Sequence, residues 1–241
     1  MVSLKKMALL TLGFAMLSTD GMAQTTRREY NDIINIHLTP GAPRRHNGCF
    51  TDMGSWMGFT LPEQAQPTTG FCGPYSIYYR HWYARSLVAL QGGTMQERSY
   101  CPGEVRMALT RDGATIQESL QFVDARTALL TIDNPSKRQL VFGADSVSRK
   151  MQLSVENGTV LIACHGGERV MLTFPEPVRV AKAGHNYVAT VPEGMAHLTA
   201  AISIVTQDTE ASVQQVHTAS LLANPEASLK ANEARWNGYL R

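Results

Sequence analysis

The stretch Glu104-Val-Arg-Met-Ala-Leu-Thr-Arg-Asp-Gly-Ala-Thr-Ile-Gln-Glu-Ser-Leu-Gln-Phe122 decides the fold class. Val105, Met107 and Leu109 recur every second residue, which puts their side chains on one face of an extended strand. Asp112-Gly113 is the dipeptide of a tight hairpin turn, and residues 116–122 return as the partner strand.

The same grammar continues outward. Residues 128–132 form a short apolar run closed by Asn134-Pro135, and 139–142 follow. Met151, Leu153 and Val155 alternate up to a second hairpin dipeptide, Asn157-Gly158, after which 160–163 return and Gly166-Gly167 closes the unit. Val170, Leu172 and Phe174 alternate until Pro175 and Pro177, and 187–191 and 197–205 complete the series. Each such strand offers one apolar face, so two sheets must close over one another. The spacing predicts a mostly β protein, an antiparallel β-sandwich.

After Thr206 the period changes to that of a helix. Asp208 is placed to cap a helix over 209–221 with Val213, Val216 and Leu221 apolar. Asn224 caps a second helix, with Pro225 at its first position and Glu226 in its first turn. Leu229, Trp236, Tyr239 and Leu240 share one face of that helix. Such a face needs a neighbour, either its own sandwich or a further domain, and interdomain packing is the sharper expectation.

At the other end, Lys5 and Lys6 precede an apolar run over 7–17, and Gly21-Met22-Ala23 supplies small residues for cleavage before Gln24. Charge, run and cleavage site in that order read as a signal peptide over 1–23, so a periplasmic or secreted chain is expected. The run is shorter than the ~20 residues a bilayer span needs, and no membrane partner is expected. The domain layout is therefore a leader over 1–23, the sandwich over 24–206 and a helical linker over 207–241. With a net charge of +2, 17% charged residues and no dense Lys/Arg run, a nucleic-acid partner is not expected either.

Cys49, Cys72, Cys101 and Cys164 have no metal-site spacing. No metal and no cofactor is expected, and both disulfides and free buried thiols remain open. Seven scattered histidines give no i, i+4 metalloprotease pair. No G-x-S-x-G elbow, G-x-G-x-x-G or P-loop is present. Residues 49–103, by contrast, are rich in Gly, Pro and aromatics. Aromatic faces suit the C–H side of sugar rings, while carboxylates and Arg suit the hydroxyls. Asp52, Trp56, Trp82 and Arg85 are the candidate carbohydrate-binding residues of this segment, near the sandwich rim. Packing in the core or at a domain interface is the competing reading of its aromatics.

The terminal segment from Asn224 to Leu240 resembles the linker helix of bacterial family 63 glycoside hydrolases, the glycogen-debranching and trehalase-like enzymes with an (α/α)6 barrel. Asp52-Met-Gly-Ser-Trp-Met-Gly-Phe-Thr-Leu-Pro62, Gly70-Phe-Cys-Gly-Pro74 and Trp82-Tyr-Ala-Arg-Ser-Leu87 are similar to the early stretches of that family. The resemblance implies a super-sandwich domain and linker that precede the barrel. It also implies hydrolysis of an α-glucosidic or related bond by a general acid and base, mostly with inversion. Those carboxylates belong to the barrel, so no catalytic residue maps onto this sequence. The expectation is a non-catalytic N-terminal domain or truncated form whose partners are carbohydrate and a catalytic barrel, in cis or as a separate chain. A free-standing carbohydrate-binding or interaction module is the alternative.

Overall fold

The computed structural model describes residues 36–41, 48–164, 167–206 and 211–239. The expected leader, the basic group Arg44-Arg45-His46, the capping Asp208 and Leu240 lie outside the described residues.

Fifteen strands precede two helices among these residues. In chain order they are β1 (Met57–Thr60), β2 (Cys72–Ser76), β3 (His81–Trp82), β4 (Ala84–Leu90), β5 (Thr94–Cys101), β6 (Glu104–Arg111), β7 (Ala114–Phe122) and β8 (Thr127–Asp133). Then come β9 (Leu140–Val147), β10 (Gln152–Glu156), β11 (Thr159–Ala163), β12 (Arg169–Thr173), β13 (Arg179–Ala183), β14 (Asn186–Val191), β15 (His197–Val205), α1 (Ala211–Ala223) and α2 (Pro225–Tyr239). One sheet runs β10-β11-β12-β15-β8-β7-β6-β5; the other runs β1-β2-β4-β9-β14-β13, with β3 also on β2. All pairings are antiparallel except a short parallel contact between β2 and β4. The expected antiparallel sandwich followed by two helices is the observed fold.

Both predicted hairpin turns form as the dipeptides dictate. Asp112 and Gly113 have φ of 51° and 76°, and Asn157 and Gly158 have 49° and 76°. Positive φ at both central residues matches the right-handed twist of the flanking strands. The alternating residues fill the space between the sheets. Val105, Met107, Leu109, Leu130, Ile132, Val170, Leu172, Ile202 and Ile204 meet Phe59, Leu87, Leu140, Phe142, Tyr187 and Val191 in one buried cluster. Buried Tyr187 satisfies its hydroxyl by donating to the Leu87 carbonyl at 2.7 Å.

Residues 49–103 contribute five of the strands. They supply β1 to β4 of the seven-stranded layer and β5 of the other. Phe50, Phe59, Phe71 and Tyr83 are core residues. Trp56, Tyr78 and Tyr79 are exposed.

The helices pack with their polar side inward. α1 lies against β15 and α2 against β7. Gln214, Thr218 and Asn232 are the buried helical residues. Gln214 donates to Thr127 Oγ1 at 3.0 Å, Thr218 pairs with Ser203 at 3.0 Å, and Asn232 donates to Gln121 at 2.9 Å. Val213, Val216 and Tyr239 point outward and are exposed. The outer face of the eight-stranded sheet carries Thr, Ser and Gln here, so hydrogen bonding governs helix docking. No helix among the described residues is long and apolar enough to cross a membrane.

None of the four cysteines is in a disulfide. Burial pushes the Cys72 thiol up to about 12.

Candidate functional site

The two-residue strand β3 and the start of β4 carry the residues around which a site forms. Arg80 occupies the left-handed region at φ 56° and ends the turn that leads β2 into β3. That turn projects Ile77, Tyr78 and Tyr79 into solvent, Tyr78 with 68% exposure. Trp56 lies alongside, because its backbone bonds Ala125 O at 3.0 Å and receives Ile77 N–H at 3.0 Å.

The rings form a continuous row. Centroid separations are 6.3 Å from Trp56 to Tyr78, 4.8 Å from Tyr78 to Tyr79, and 6.0 Å from Tyr79 to His81. The Arg126 guanidinium sits 5.7 Å over the Trp56 ring and holds one end of the row by cation–π attraction. His81 is both the other end of the row and part of the wall of a cleft. This open cleft, of about 640 Å³, is lined by polar side chains of Gln66, Ser146 and Ser148 together with His81, Trp82, Arg85 and Lys150. Trp82 is fixed by packing on Tyr75 at 5.0 Å. Arg85 lies 3.8 Å from Asp145, and Asp145 also accepts the Thr68 hydroxyl at 2.9 Å.

Of the four residues singled out from sequence, Trp82 and Arg85 share the cleft, and Trp56 begins the aromatic row that leads to it. Asp52 stands elsewhere. Its carboxylate, only 8% exposed, accepts from the Arg235 guanidinium and from Trp236 Nε1, the latter at 2.9 Å. Asp52 therefore anchors α2. Trp236 also rests on Gly103, where a Cβ would fall 2.1 Å from the indole. The Trp236 side chain thus docks on its own sandwich, Leu229 is half-buried, and Tyr239 is exposed.

Sequence reasoning missed a second group beside the cleft. Tyr83 donates its hydroxyl to Glu168 Oε1 at 2.6 Å and lies 3.9 Å from Cys164 Sγ. The His81 ring packs on Tyr83 at 4.9 Å. Burial lowers the His81 pKa, partly offset by the nearby Glu168 charge, and the imidazole is held toward its neutral form. Burial, reinforced by the Glu168 hydrogen bond, drives the Tyr83 phenol well above its usual range. Residues 81 and 164–168 lie too far apart in the chain for any spacing rule to join them.

The described residues lining the cleft include no carboxylate. What the cleft does offer is an aromatic face, the hydroxyls of Ser146 and Ser148, the amide of Gln66 and the cations Arg85 and Lys150.

No protein family matches the chain, and neither does any curated protein. Solved structures do show likeness. A heparan sulfate lyase, HepC from Pedobacter heparinus, aligns at 10% identity and a TM-score of 0.38, over 64% of this chain and 33% of the lyase. A heparinase III aligns at 14% identity and a TM-score of 0.36, over 52% of this chain and 24% of its own. The chain spans about a quarter to a third of the length of these structures. They are named as a heparan sulfate lyase and a heparinase, not as family 63 hydrolases, and likeness at this level carries no inference about function.

Proposed function

We propose that this chain is a non-catalytic carbohydrate-binding β domain that works beside a catalytic barrel on α-glucosidic or related oligosaccharides. The observation that supports it is the aromatic row Trp56–Tyr78–Tyr79–His81, exposed along its first three rings, running into a cleft with Trp82 and Arg85 whose described lining includes no carboxylate. Flat apolar rings beside hydroxyl, amide and guanidinium groups match the amphipathic surface of a sugar. The outward Val213, Val216 and Tyr239 support a bracing role, because exposed apolar groups on docked helices suit a neighbouring domain. The family 63 resemblance gives that neighbour its identity in this reading, and export through the 1–23 leader gives its compartment.

Arg85 and Lys150 beside the same cleft favour a second reading, in which the preferred sugars carry acidic groups.

Calorimetric titration with malto-oligosaccharides and with uronate-containing oligosaccharides tests both. Binding of either class, with Trp82→Ala weakening it at least about five-fold (~1 kcal/mol), is the expected result. The ratio between the two classes decides the second reading. Absence of binding by both, or turnover of maltose by the purified chain, overturns the proposal.

A further inference from the structure

Three metal-ligating side chains meet at the seam between the two sheets. His81 comes from β3 in the seven-stranded sheet. Cys164 directly follows β11 and Glu168 directly precedes β12 in the eight-stranded sheet. Their imidazole nitrogen, thiol sulfur and carboxylate oxygen lie within 4.8 Å of one another.

Two further observations separate this cluster from ordinary polar packing. Glu168 is 1% exposed, and its Oε2 is buried with no hydrogen-bond partner among the described residues. His81 Nε2 is likewise buried and unpartnered. Buried polar atoms in native proteins are almost always met by a partner, and both of these belong to members of the cluster.

We infer that His81, Cys164 and Glu168 bind a divalent ion of the zinc class and so clip the two sheets together. Imidazole, thiolate and carboxylate are the ligand types of such ions, whereas magnesium and calcium take oxygen alone. Bonds of roughly 2.0–2.3 Å place tetrahedral ligand atoms roughly 3.5 Å apart. The three atoms need to close by only about 1 Å, which side-chain rotation supplies. The surroundings are prepared as well. The Tyr83 hydroxyl fixes Glu168 by its other oxygen, as outer partners fix metal-bound carboxylates. The Cys164 N–H donates to Glu168 O at 3.1 Å and holds the two ligands side by side.

Binding has a defined proton balance. Cys164 gives its thiol proton to solvent as sulfur joins the ion, and neutral His81 binds through its free lone pair with no proton lost. Three protein ligands leave a fourth position for water or for a group from the adjoining cleft, whose wall His81 shares.

The test uses the purified chain without a histidine tag, stripped with a chelator and titrated with Co²⁺, then with Zn²⁺. One Co²⁺ per chain is expected, with a thiolate-to-cobalt charge-transfer band that Zn²⁺ abolishes, and Zn²⁺ raises the melting temperature. Cys164→Ser removes the band, Tyr83→Phe weakens binding about ten-fold, and Cys49→Ser changes nothing. His81→Ala, at a partly exposed position, is the second variant should Cys164→Ser not fold, and it too loses stoichiometric binding. No uptake of Co²⁺ at micromolar concentration overturns the site. So does a cobalt spectrum without the thiolate band, or a band that survives in Cys164→Ser.

Discussion

Glu118 is the residue whose placement has the clearest energetic consequence. It occupies an inward position of β7 between Ile116 and Leu120, where the alternation calls for an apolar side chain. Both carboxylate oxygens are buried and unpartnered among the described residues, and burial alone pushes its pKa up to about 8. The neutral acid therefore dominates at pH 7. The folded value lies above the ordinary carboxylate value, so the folded state keeps a proton that the unfolded chain releases. Stability is greatest below about 4.5 and falls as pH rises towards 8, by up to about 1.4 kcal/mol per unit of pH. Glu118→Gln mimics the neutral acid and flattens that fall. Urea unfolding at pH 5 and pH 8.5 measures it: the variant should match the parent at pH 5 and exceed it at pH 8.5. Parallel pH profiles for the two proteins contradict the assignment.

At the scale of the element, α2 is held by a polar latch. Asp52 accepts from both Arg235 and Trp236, and Asn232 reaches the Gly103 carbonyl at 3.3 Å and Gln121 at 2.9 Å. Removing the carboxylate leaves the Arg235 guanidinium with Asn232 Oδ1 as acceptor at 2.7 Å on a side chain that is 25% exposed, so the loss is smaller than for a fully buried pair. Asp52→Ala should cost about 2 kcal/mol and shift Trp236 fluorescence to the red as the indole meets water. Oligosaccharide affinity should stay within about two-fold, since Asp52 lies outside the cleft. A large loss of affinity with unchanged fluorescence contradicts the latch. Gly103→Ala probes the same contact from the other side: its Cβ collides with the Trp236 ring, and φ of 81° strains any L side chain. A fall of about 1–3 kcal/mol is expected in thermal unfolding.

These elements also show what the sequence could and could not disclose. From β6 onward most strands have one buried and one more open face, and their period of two was readable together with both hairpin dipeptides. β1 and most of β2 and β4 are buried on both faces, as at Phe59, Thr60, Leu87 and Val88, so no alternation marks them. β13, Arg-Val-Ala-Lys-Ala, is an exposed edge strand with cations and little apolar signal. The helices misled in direction: the apolar stripe of Val213 and Val216 faces outward because the sheet beneath asks for hydrogen bonds. Trp82 and Arg85 were legible as an aromatic with a nearby cation. The His81–Cys164–Glu168 group was not, because only the stacking of two sheets brings its members together.

For the molecule as a whole, the cysteines report on cooperativity. Their spacing left disulfides and free thiols open, since pairing depends on distances that only the folded sandwich defines. None of the four is bridged, and they divide by depth. Cys72 on β2 and Cys101 at the end of β5 are buried, one in each sheet, while Cys49 and Cys164 are half-buried. Thiolates react and thiols do not, so the burial that raises Cys72 protects it twice, by access and by protonation. Alkylation of the chelator-stripped, metal-free chain under native conditions should modify Cys164 and Cys49 first. Cys72 and Cys101 should follow together, at a rate that tracks global unfolding across a urea series. Equal rates for these two thiols mean that the sheets separate as one unit, as a single shared core requires. If Cys72 instead reacts ahead of Cys101 with a weak dependence on urea, the seven-stranded sheet opens by itself and the sandwich is not one cooperative body.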